Sequence, residues 1–134
     1  MNKLSGNITS ISSEGQLSLV KINVSGSLFT SILIDTPATA SYLVTGNKVF
    51  VVFKENEVVI AKDFSGQISM QNKFEGTIQS VEAGKLLCSL SLYCSGFSIV
   101  SIITAQAAAQ MNLVQGDQVT ALIKTNEISL SPHD

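Results

Sequence analysis

Two lysines occupy matching places in the chain, each directly after a run of uncharged residues. Lys54 follows residues 49–53 and Lys124 follows residues 119–123, and the strand before each run holds a serine, Ser31 or Ser101. A lysine ammonium, hydroxyl groups and the backbone N–H groups of a turn are donors that together hold a small anion. The sequence therefore indicates an anion site at these positions. The alternative is that each lysine only carries its charge from a strand end into water.

Metal and nucleophile chemistry has little support in the sequence. The chain has one histidine, His133, near its C-terminus, and its cysteines, Cys88 and Cys94, do not form a Cys-x-x-Cys pair. Zinc sites need more ligands at closer spacing, and a catalytic triad needs a histidine held in a fixed place. We expect no metal site, and we expect both cysteines to be small buried side chains of a protein kept reduced in the cytoplasm.

Paired carboxylates for acid–base catalysis are not indicated either. Asp35 and Glu55 have no acid at the matching positions of the second half of the chain. Glu57 and Glu127 do match each other, but they lie in predicted turns, where carboxylates are usually solvated. We therefore predict that the chain is not an enzyme.

The chain is one unit of roughly 65 residues written twice. Residues 31–56 and 101–126 align without a gap at an offset of 70 positions, and the same offset continues outside these windows. An internal repeat of this kind has to be settled before a fold is proposed. The identical pairs include Asn2 and Asn72, Gly6 and Gly76, Ser31 and Ser101, Gly46 and Gly116, Lys54 and Lys124, and Asn56 and Asn126.

The composition favours an oligomer and excludes several partners. Charged residues make up 13% of the chain, against about 25% in an average soluble protein, so part of the surface of these small units is expected to be buried against other subunits. The net charge is −2 and the eight basic residues form no cluster, so the chain alone is not expected to bind nucleic acid. No apolar run approaches the roughly 18 residues that span a bilayer, and the N-terminus lacks the apolar segment of a signal peptide, which indicates a cytoplasmic protein without a membrane partner.

Each copy is predicted to contain five strands and one short helix between the third and fourth strands. Thr36 and Pro37 suit the N-cap and first position of that helix, and the alanine-rich residues 105–113 favour it more strongly in the second copy. The predicted strands of the first copy are residues 3–12, 17–24, 28–34, 48–53 and 58–61. This order is typical of a small β-barrel. The predicted fold class is mainly β: two tandem OB-like five-stranded β-barrels, residues 1–64 and 72–134, with a linker at residues 65–71.

These patterns resemble the molybdate-binding Mop domains, the molbindin or TOBE group, in the tandem arrangement of a di-Mop protein. The resemblance covers nearly the whole chain and rests on four short motifs that recur in order in both copies. They are Asn-Lys-x-x-Gly at residues 2–6 and 72–76, Ser-Ile at 31–32 and 101–102, Leu-Val-x-Gly at 43–46 and 113–116, and the lysine after the fourth strand. The resemblance implies paired OB-like barrels, a homotrimer, and molybdate or tungstate bound at subunit interfaces without an organic cofactor.

The resemblance also implies which residues contact the anion. In that family the anion is held by hydroxyls, a lysine and main-chain amides, and often by an arginine in a Ser-x-Arg-Asn motif ahead of the first strand. Residues 69–72 keep the serine and asparagine of this motif but have glutamine in place of the arginine, and Glu55 after Lys54 would repel an anion. The anion-binding positions carried over to this chain are Ser31, Ile32, Lys54, Ser69, Gln71, Asn72, Ser101, Ile102, Lys124 and Thr125.

Three functions are compatible with these residues. The first is a cytoplasmic protein that binds molybdate and stores or buffers it. The second is the ligand-sensing module of a molybdate-responsive transcription regulator, and the repeat beginning at the chain's first residues favours a free-standing protein over this one. The third is an assembly module whose anion site has decayed. Loss of anion affinity on replacing Lys124 would distinguish the first two hypotheses from the third.

Overall fold

Ten antiparallel strands form two curled five-stranded sheets in the computed structural model, which describes residues 1–133. The first copy contributes β1 (Asn2–Glu14), β2 (Leu17–Val24), β3 (Ser27–Leu33), β4 (Lys48–Phe53) and β5 (Val59–Ala61). The second contributes β6 (Asn72–Ala83), β7 (Leu87–Cys94), β8 (Phe97–Thr104), helix α1 (Ala105–Gln110), β9 (Gln118–Ile123) and β10 (Ser129–Pro132). A short 3₁₀ turn follows β4 at Glu55–Glu57, and another follows β9 at Thr125–Glu127. The predicted class, mainly β with two tandem OB-like barrels, is confirmed.

The two sheets exchange their last strands. The order of strands is β10-β4-β1-β2-β3 in one sheet and β5-β9-β6-β7-β8 in the other. Thus Ser129 of β10 lies opposite Val52 of β4, and Val59 of β5 lies opposite Leu122 of β9. The sequence alone does not reveal this exchange, because a strand of three or four residues fits the edge of either sheet equally well. The division into domains at residues 1–64 and 72–134 stays a prediction. Residue 134 lies outside the part of the chain that the structure describes.

The predicted helix of the first copy is wrong. Residues 36–40 make one hydrogen-bonded turn, in which the N–H groups of Thr39 and Ala40 both donate to the Thr36 carbonyl oxygen. The Thr39 hydroxyl bonds to Asp35 and to the Thr36 backbone, and such local side-chain bonds compete with helix formation. The alanine-rich second copy does form α1, capped by the Thr104 hydroxyl, which accepts from the Ala107 N–H.

Both long first strands are bent at the same place. The pairing register shifts between Ile8 and Ser10 in β1 and between Ile78 and Ser80 in β6. A bulge adds one residue to a strand and changes which side chains face inward after it. This explains why the apolar residues of β1 change phase along the sequence. Gly6, just before the bulge, allows close packing, since a methyl group there would come within 2.7 Å of the Asn23 carbonyl oxygen.

One hydrophobic core runs through both copies. The Phe29 ring of β3 lies 6.1 Å from that of Phe53 in the same copy, and 4.3 and 5.5 Å from those of Phe74 and Phe97 in the other copy (centroid distances). Aromatic contacts at these distances stabilise a core beyond the area they bury. The copies therefore share their largest buried side chains and do not have two separate cores.

Lys62 fastens the exchanged strand β5 to the second copy. Its ammonium donates to the carbonyl oxygens of Met111 and Asn112, at 3.1 and 3.4 Å, and lies 3.3 Å from a carboxylate oxygen of Asp117. These carbonyl groups end α1, where a positive charge is favourable. The pKa of the Asp117 carboxyl is lowered, mainly by a hydrogen bond from the Val114 N–H and further by Lys62. The segment after β5 is thus held against the second copy by a cation.

The two cysteines are buried free thiols, as the sequence predicts. Burial, together with the nearby Glu75 carboxylate, raises the pKa of the Cys94 thiol to about 11. The thiol is therefore protonated near neutral pH, which makes it a poor nucleophile or metal ligand.

Phe29→Ala tests whether the copies fold as one unit. Because Phe29 contacts both copies, we expect the variant to lower the free energy of unfolding by about 3–5 kcal/mol and to unfold in one transition. NMR signals of Tyr42 in the first copy and Tyr93 in the second report each half during urea titration. Leu28→Ala, at an exposed position of the same strand, is the control and should change the stability by less than about 0.5 kcal/mol. Separate transitions for the two tyrosines would contradict the shared core.

Candidate functional site

Each predicted anion-binding lysine begins a 3₁₀ turn at the end of its fourth strand. Lys54 and Lys124 have extended backbone conformations, and their carbonyl oxygens accept from the N–H groups of Glu57 and Glu127 at 3.1 and 3.0 Å. Both lysine side chains are exposed. Each lysine is the first charged residue after a largely buried strand, and its ammonium group favours contact with water. Each turn therefore presents one cation at the surface.

The two predicted serines connect each turn to the other copy. Ser31 and Ser101 are completely buried. The Ser31 hydroxyl donates to the Ile128 carbonyl oxygen at 2.6 Å, and the Ser101 hydroxyl donates to the Val58 carbonyl oxygen at 2.8 Å. Ile128 and Val58 end the Lys124 and Lys54 turns. Ser31 thus lies beside the Lys124 turn, whereas the sequence associates each lysine with the serine of its own copy.

The structure therefore has two equivalent junctions between the copies. In the first junction, the turn at Glu55–Glu57 packs against β8. In the second junction, the turn at Thr125–Glu127 packs against β3. Each junction lies where the chain crosses between the copies, because β5 and β10 join the other sheet directly after these turns.

Asn72 lies in the second junction and is fully buried. Its side-chain oxygen accepts from the Thr30 N–H at 2.7 Å, and its side-chain nitrogen donates to the Thr30 carbonyl oxygen at 2.8 Å. Asn2 makes the same pair of bonds with Val100 in the first junction, both at 2.8 Å. Asn2 was not among the predicted site residues, although its match with Asn72 at the 70-residue offset could have identified it.

The other predicted residues surround the junctions. Gln71 and Ser69 are exposed and precede β6, and Thr125 is half-buried directly after Lys124. Since Asn72 pairs with Ile123, Gln71 lies at the same end of the sheet as Lys124. Ile32 and Ile102 are half-buried on the outer faces of β3 and β8, where Ile102 lines a cavity of about 530 Å³ with Val58, Leu87 and Met111. The second junction thus has Asn72 and the turn after Lys124 of one copy beside Ser31 of the other, with Gln71 at the same end of the sheet.

The junctions differ in charge. At the first, Glu55 follows Lys54 and accepts a hydrogen bond at 2.8 Å from the ammonium group of Met1. This bond lowers the pKa of the Glu55 carboxyl, which stays ionised at neutral pH. At the second, Thr125 takes the place of Glu55. Glu57 and Glu127 occupy the same place in both turns and do not distinguish them. The Glu55 charge is thus paired with the Met1 ammonium, whereas the second junction has an uncharged donor, the Thr125 hydroxyl, next to its lysine.

Neither a cluster of metal ligands nor a membrane-spanning helix occurs within residues 1–133. No group of three or more histidine, cysteine, aspartate or glutamate side chains is placed to hold a metal ion in this part of the chain. Its helices are also too short or too polar to cross a bilayer.

Comparisons with known proteins agree with this architecture. The model of the TOBE domain family matches residues 68–130. The molybdenum transport protein ModE of Herbaspirillum seropedicae is 26% identical over 133 residues, which is 97% of this chain and 49% of that protein, so the chain spans about half the length of this curated relative. The structure of the cytoplasmic molybdate-binding protein ModG with molybdate bound superposes with a TM-score of 0.92 at 24% identity, covering 98% of this chain and 96% of that chain. A molybdate-binding protein from Sporomusa ovata is 36% identical over 44% of this chain and 88% of that chain, with a TM-score of 0.42.

The fold and the duplicated junctions define a protein of two interlocked OB-like domains. The second copy matches the TOBE model directly, and the first copy is its repeat. The chain is therefore similar to the TOBE domain family over residues 68–130.

Ser31→Ala tests the structural role of the buried hydroxyls. The change leaves the Ile128 carbonyl oxygen without its donor, and we expect it to lower the free energy of unfolding by about 1–3 kcal/mol. Urea denaturation measures this loss. Ser5→Ala, at an exposed position of β1, should change the stability by less than about 0.5 kcal/mol. Equal stability of the two variants would show that the Ser31 bond does not hold the turn.

Proposed function

We propose that the chain binds molybdate, or the similar anion tungstate, at the junctions between its copies and stores or buffers it in the cytoplasm. The observation that carries this proposal is the exposed lysine that each junction of a chain similar to the TOBE domain family presents beside the other copy. Binding uses hydrogen bonds and charge, and the anion is released unchanged. The protein is accordingly a binding protein and not an enzyme.

The second junction offers the better set of donors. Lys124 is exposed and forms no ion pair with any residue between 1 and 133, so its ammonium is free to meet a ligand. Thr125 contributes a hydroxyl, and Gln71 contributes an amide at the position where family members often have arginine. Charge-assisted hydrogen bonds to an anion are roughly twice as strong as neutral ones. Lys124 is therefore assigned the main contact.

The first junction is the weaker site. Lys54 offers the same ammonium, but the Glu55 side chain beside it is an acceptor already paired with the Met1 ammonium and gives an anion no donor, unlike the Thr125 hydroxyl. The predicted contacts from Ser31 and Ser101 require their hydroxyl protons to leave the carbonyl groups that they now bind. We therefore assign the two serines to holding the turns, and Lys54 to a secondary site.

We also propose that the chains assemble, with a homotrimer as the form that the family resemblance implies. Ile34 and Leu86 are 79% and 76% exposed, and Leu17 and Leu87 about half exposed. Leu17 and Ile32 line one surface cavity, and the matching Leu87 and Ile102 line another. Monomeric proteins rarely expose apolar patches of this kind. Burial of this face between subunits would bring further donors next to each junction.

A role as the sensing module of a molybdate-responsive regulator is the second candidate. The observation that favours it is that the curated relative is about twice as long as the segment that this chain matches. The mass of the native polypeptide in cell extract distinguishes the two candidates. A polypeptide that carries an additional DNA-binding domain would favour the sensing role, and one of about 14.2 kDa would favour storage.

Lys124→Ala is the direct test of the anion site. Because the change removes a charge-assisted hydrogen bond, we expect the affinity for molybdate in isothermal titration calorimetry to fall by roughly 10- to 100-fold. Lys54→Ala should reduce it less. Lys85→Ala removes an exposed lysine of the β6–β7 turn and should leave the affinity unchanged.

Sulfate serves as the control ligand, and native mass spectrometry of the same samples reports the assembly. Trimers that gain molybdate and little sulfate would support the proposal. Equal loss of affinity in the Lys124 and Lys85 variants would remove the proposed site. A wild-type protein that takes up no oxyanion would leave the third hypothesis, an assembly module.

A further inference from the structure

The side-chain amides of Asn72 and Asn2 form hydrogen bonds of the kind that backbone groups form between β-strands. β3 and β8 are the last strands of their sheets, so each has one edge without a strand neighbour. Asn72 binds both the N–H and the carbonyl group of Thr30 on the edge of β3, and Asn2 does the same with Val100 on β8. A side-chain amide has one acceptor and one donor group side by side, like a peptide unit. Each asparagine therefore completes one step of a β-ladder across the boundary between the copies.

Burial leaves the Asn72 amide out of reach of a ligand. The residue has no exposed surface, and Asn2 is 6% exposed. The side-chain oxygen and one side-chain N–H of Asn72 are already bonded to Thr30, at 2.7 and 2.8 Å. An anion could contact Asn72 only after β3 and β6 separated, which would break both bonds.

The position of each asparagine explains what it controls. Thr30 is directly followed by Ser31, whose hydroxyl holds the end of the Lys124 turn through Ile128. Asn72 lies opposite Ile123, the residue before Lys124. The bonds between Asn72 and Thr30 thus fix β3 and the start of the Lys124 turn relative to each other. In the first junction, Asn2 lies opposite Phe53 and fixes β8 against the Lys54 turn in the same way.

We infer that Asn72 and Asn2 are positioning residues and that neither contacts the anion. Each sets the geometry of one junction through its two hydrogen bonds to the edge strand of the other copy. This differs from the ligand role that the family resemblance implies for Asn72. The part of the inference that concerns anion affinity rests on the proposed function, whereas the part that concerns the strand edge does not.

Hydrogen exchange in the wild-type protein is the first test. Thr30 and Val100 lie on edge strands, where an N–H group that points away from the sheet would normally exchange quickly with water. We expect both N–H groups to be protected to a degree similar to that of N–H groups inside the ladders. Fast exchange at Thr30 and Val100 in the folded protein would overturn the inference without any variant.

Asn72→Asp provides the second test. At neutral pH the carboxylate cannot donate to the Thr30 carbonyl oxygen and repels it, so protection of the Thr30 N–H should fall by about tenfold or more. Protection of the Val100 N–H should not change. When the aspartic acid is protonated, it again has one donor and one acceptor, so lowering the pH should restore the protection factor at Thr30. Asn2→Asp is the matched control and should show the reverse pattern, with Val100 affected and Thr30 unchanged.

Molybdate titration at neutral pH provides the third test. The positioning role predicts that Asn72→Asp weakens binding at the second junction by about tenfold or more and that Asn2→Asp leaves this binding unchanged. Loss of anion affinity with full protection at Thr30 would show that Asn72 is a direct ligand and would overturn the inference. So would equal effects of both variants on both junctions, which would indicate general loosening of the fold.

Two further controls keep these results interpretable. Should Asn72→Asp not fold, the shorter Asn72→Ser, which cannot span both Thr30 groups, is measured in its place, with the same expected loss of protection at Thr30 but no recovery at low pH. Should the wild-type protein take up no molybdate, the proposed function fails, but the exchange and pH experiments still decide the role of the two asparagines.

Discussion

The exchange of β5 and β10 is the constraint on which the rest of the structure depends. Each strand crosses to the other sheet directly after a 3₁₀ turn, and it joins a sheet whose other four strands come from the other copy. Two contacts between the copies accompany this crossing: the Phe29 ring packs against Phe74, and the Lys62 ammonium binds the Met111 carbonyl oxygen. Two units of this size would each be close to the lower limit for a stable core. Interlocked, they bury one core of twice the size.

The same crossing creates the candidate sites. A turn that leads a strand away from its own sheet has to pass the third strand of the other copy, and Ser31 and Ser101 bind its last carbonyl group there. The lysine that begins each turn is consequently placed beside residues distant in sequence. Duplication then allows the two junctions to diverge, since one retains an acid, Glu55, next to its lysine, and the other has Thr125. Such a substitution changes the donors beside the lysine without altering the fold.

Much of the fold could be predicted from the sequence because the two copies support each other. The 70-residue offset, the alternation of apolar residues and the residues that form turns identified the five strands of each copy near their observed positions, and the motifs around the two lysines indicated a resemblance to the TOBE domain family. The helix after Thr36 was predicted mainly from its N-terminal residues, and the Thr39 side chain of that segment forms local bonds instead. The strand exchange could not be predicted, because the pattern of β5 and β10 fits both sheets.

The assignment of site residues stays a prediction, and their arrangement across the copies could not be predicted from the sequence. Lys124, Thr125 and Gln71 do lie at one end of one sheet, as expected from their positions beside paired strands. The serine that holds the end of the Lys124 turn is Ser31 of the other copy, and sequence spacing gives no information about contacts that depend on the exchange. Asn72 carries the right side chain for an anion, but its burial assigns that side chain to Thr30.

The most direct test of this account is the position of the anion itself. Crystals grown with molybdate and measured at the molybdenum absorption edge identify each bound molybdenum atom by its anomalous signal. The account predicts a strong anomalous peak at the second junction, with oxygen atoms about 3 Å from the Lys124 ammonium nitrogen, and a weaker peak or none beside Lys54. Ordered molybdate only at sites away from both junctions, or none at saturating concentration, would contradict it.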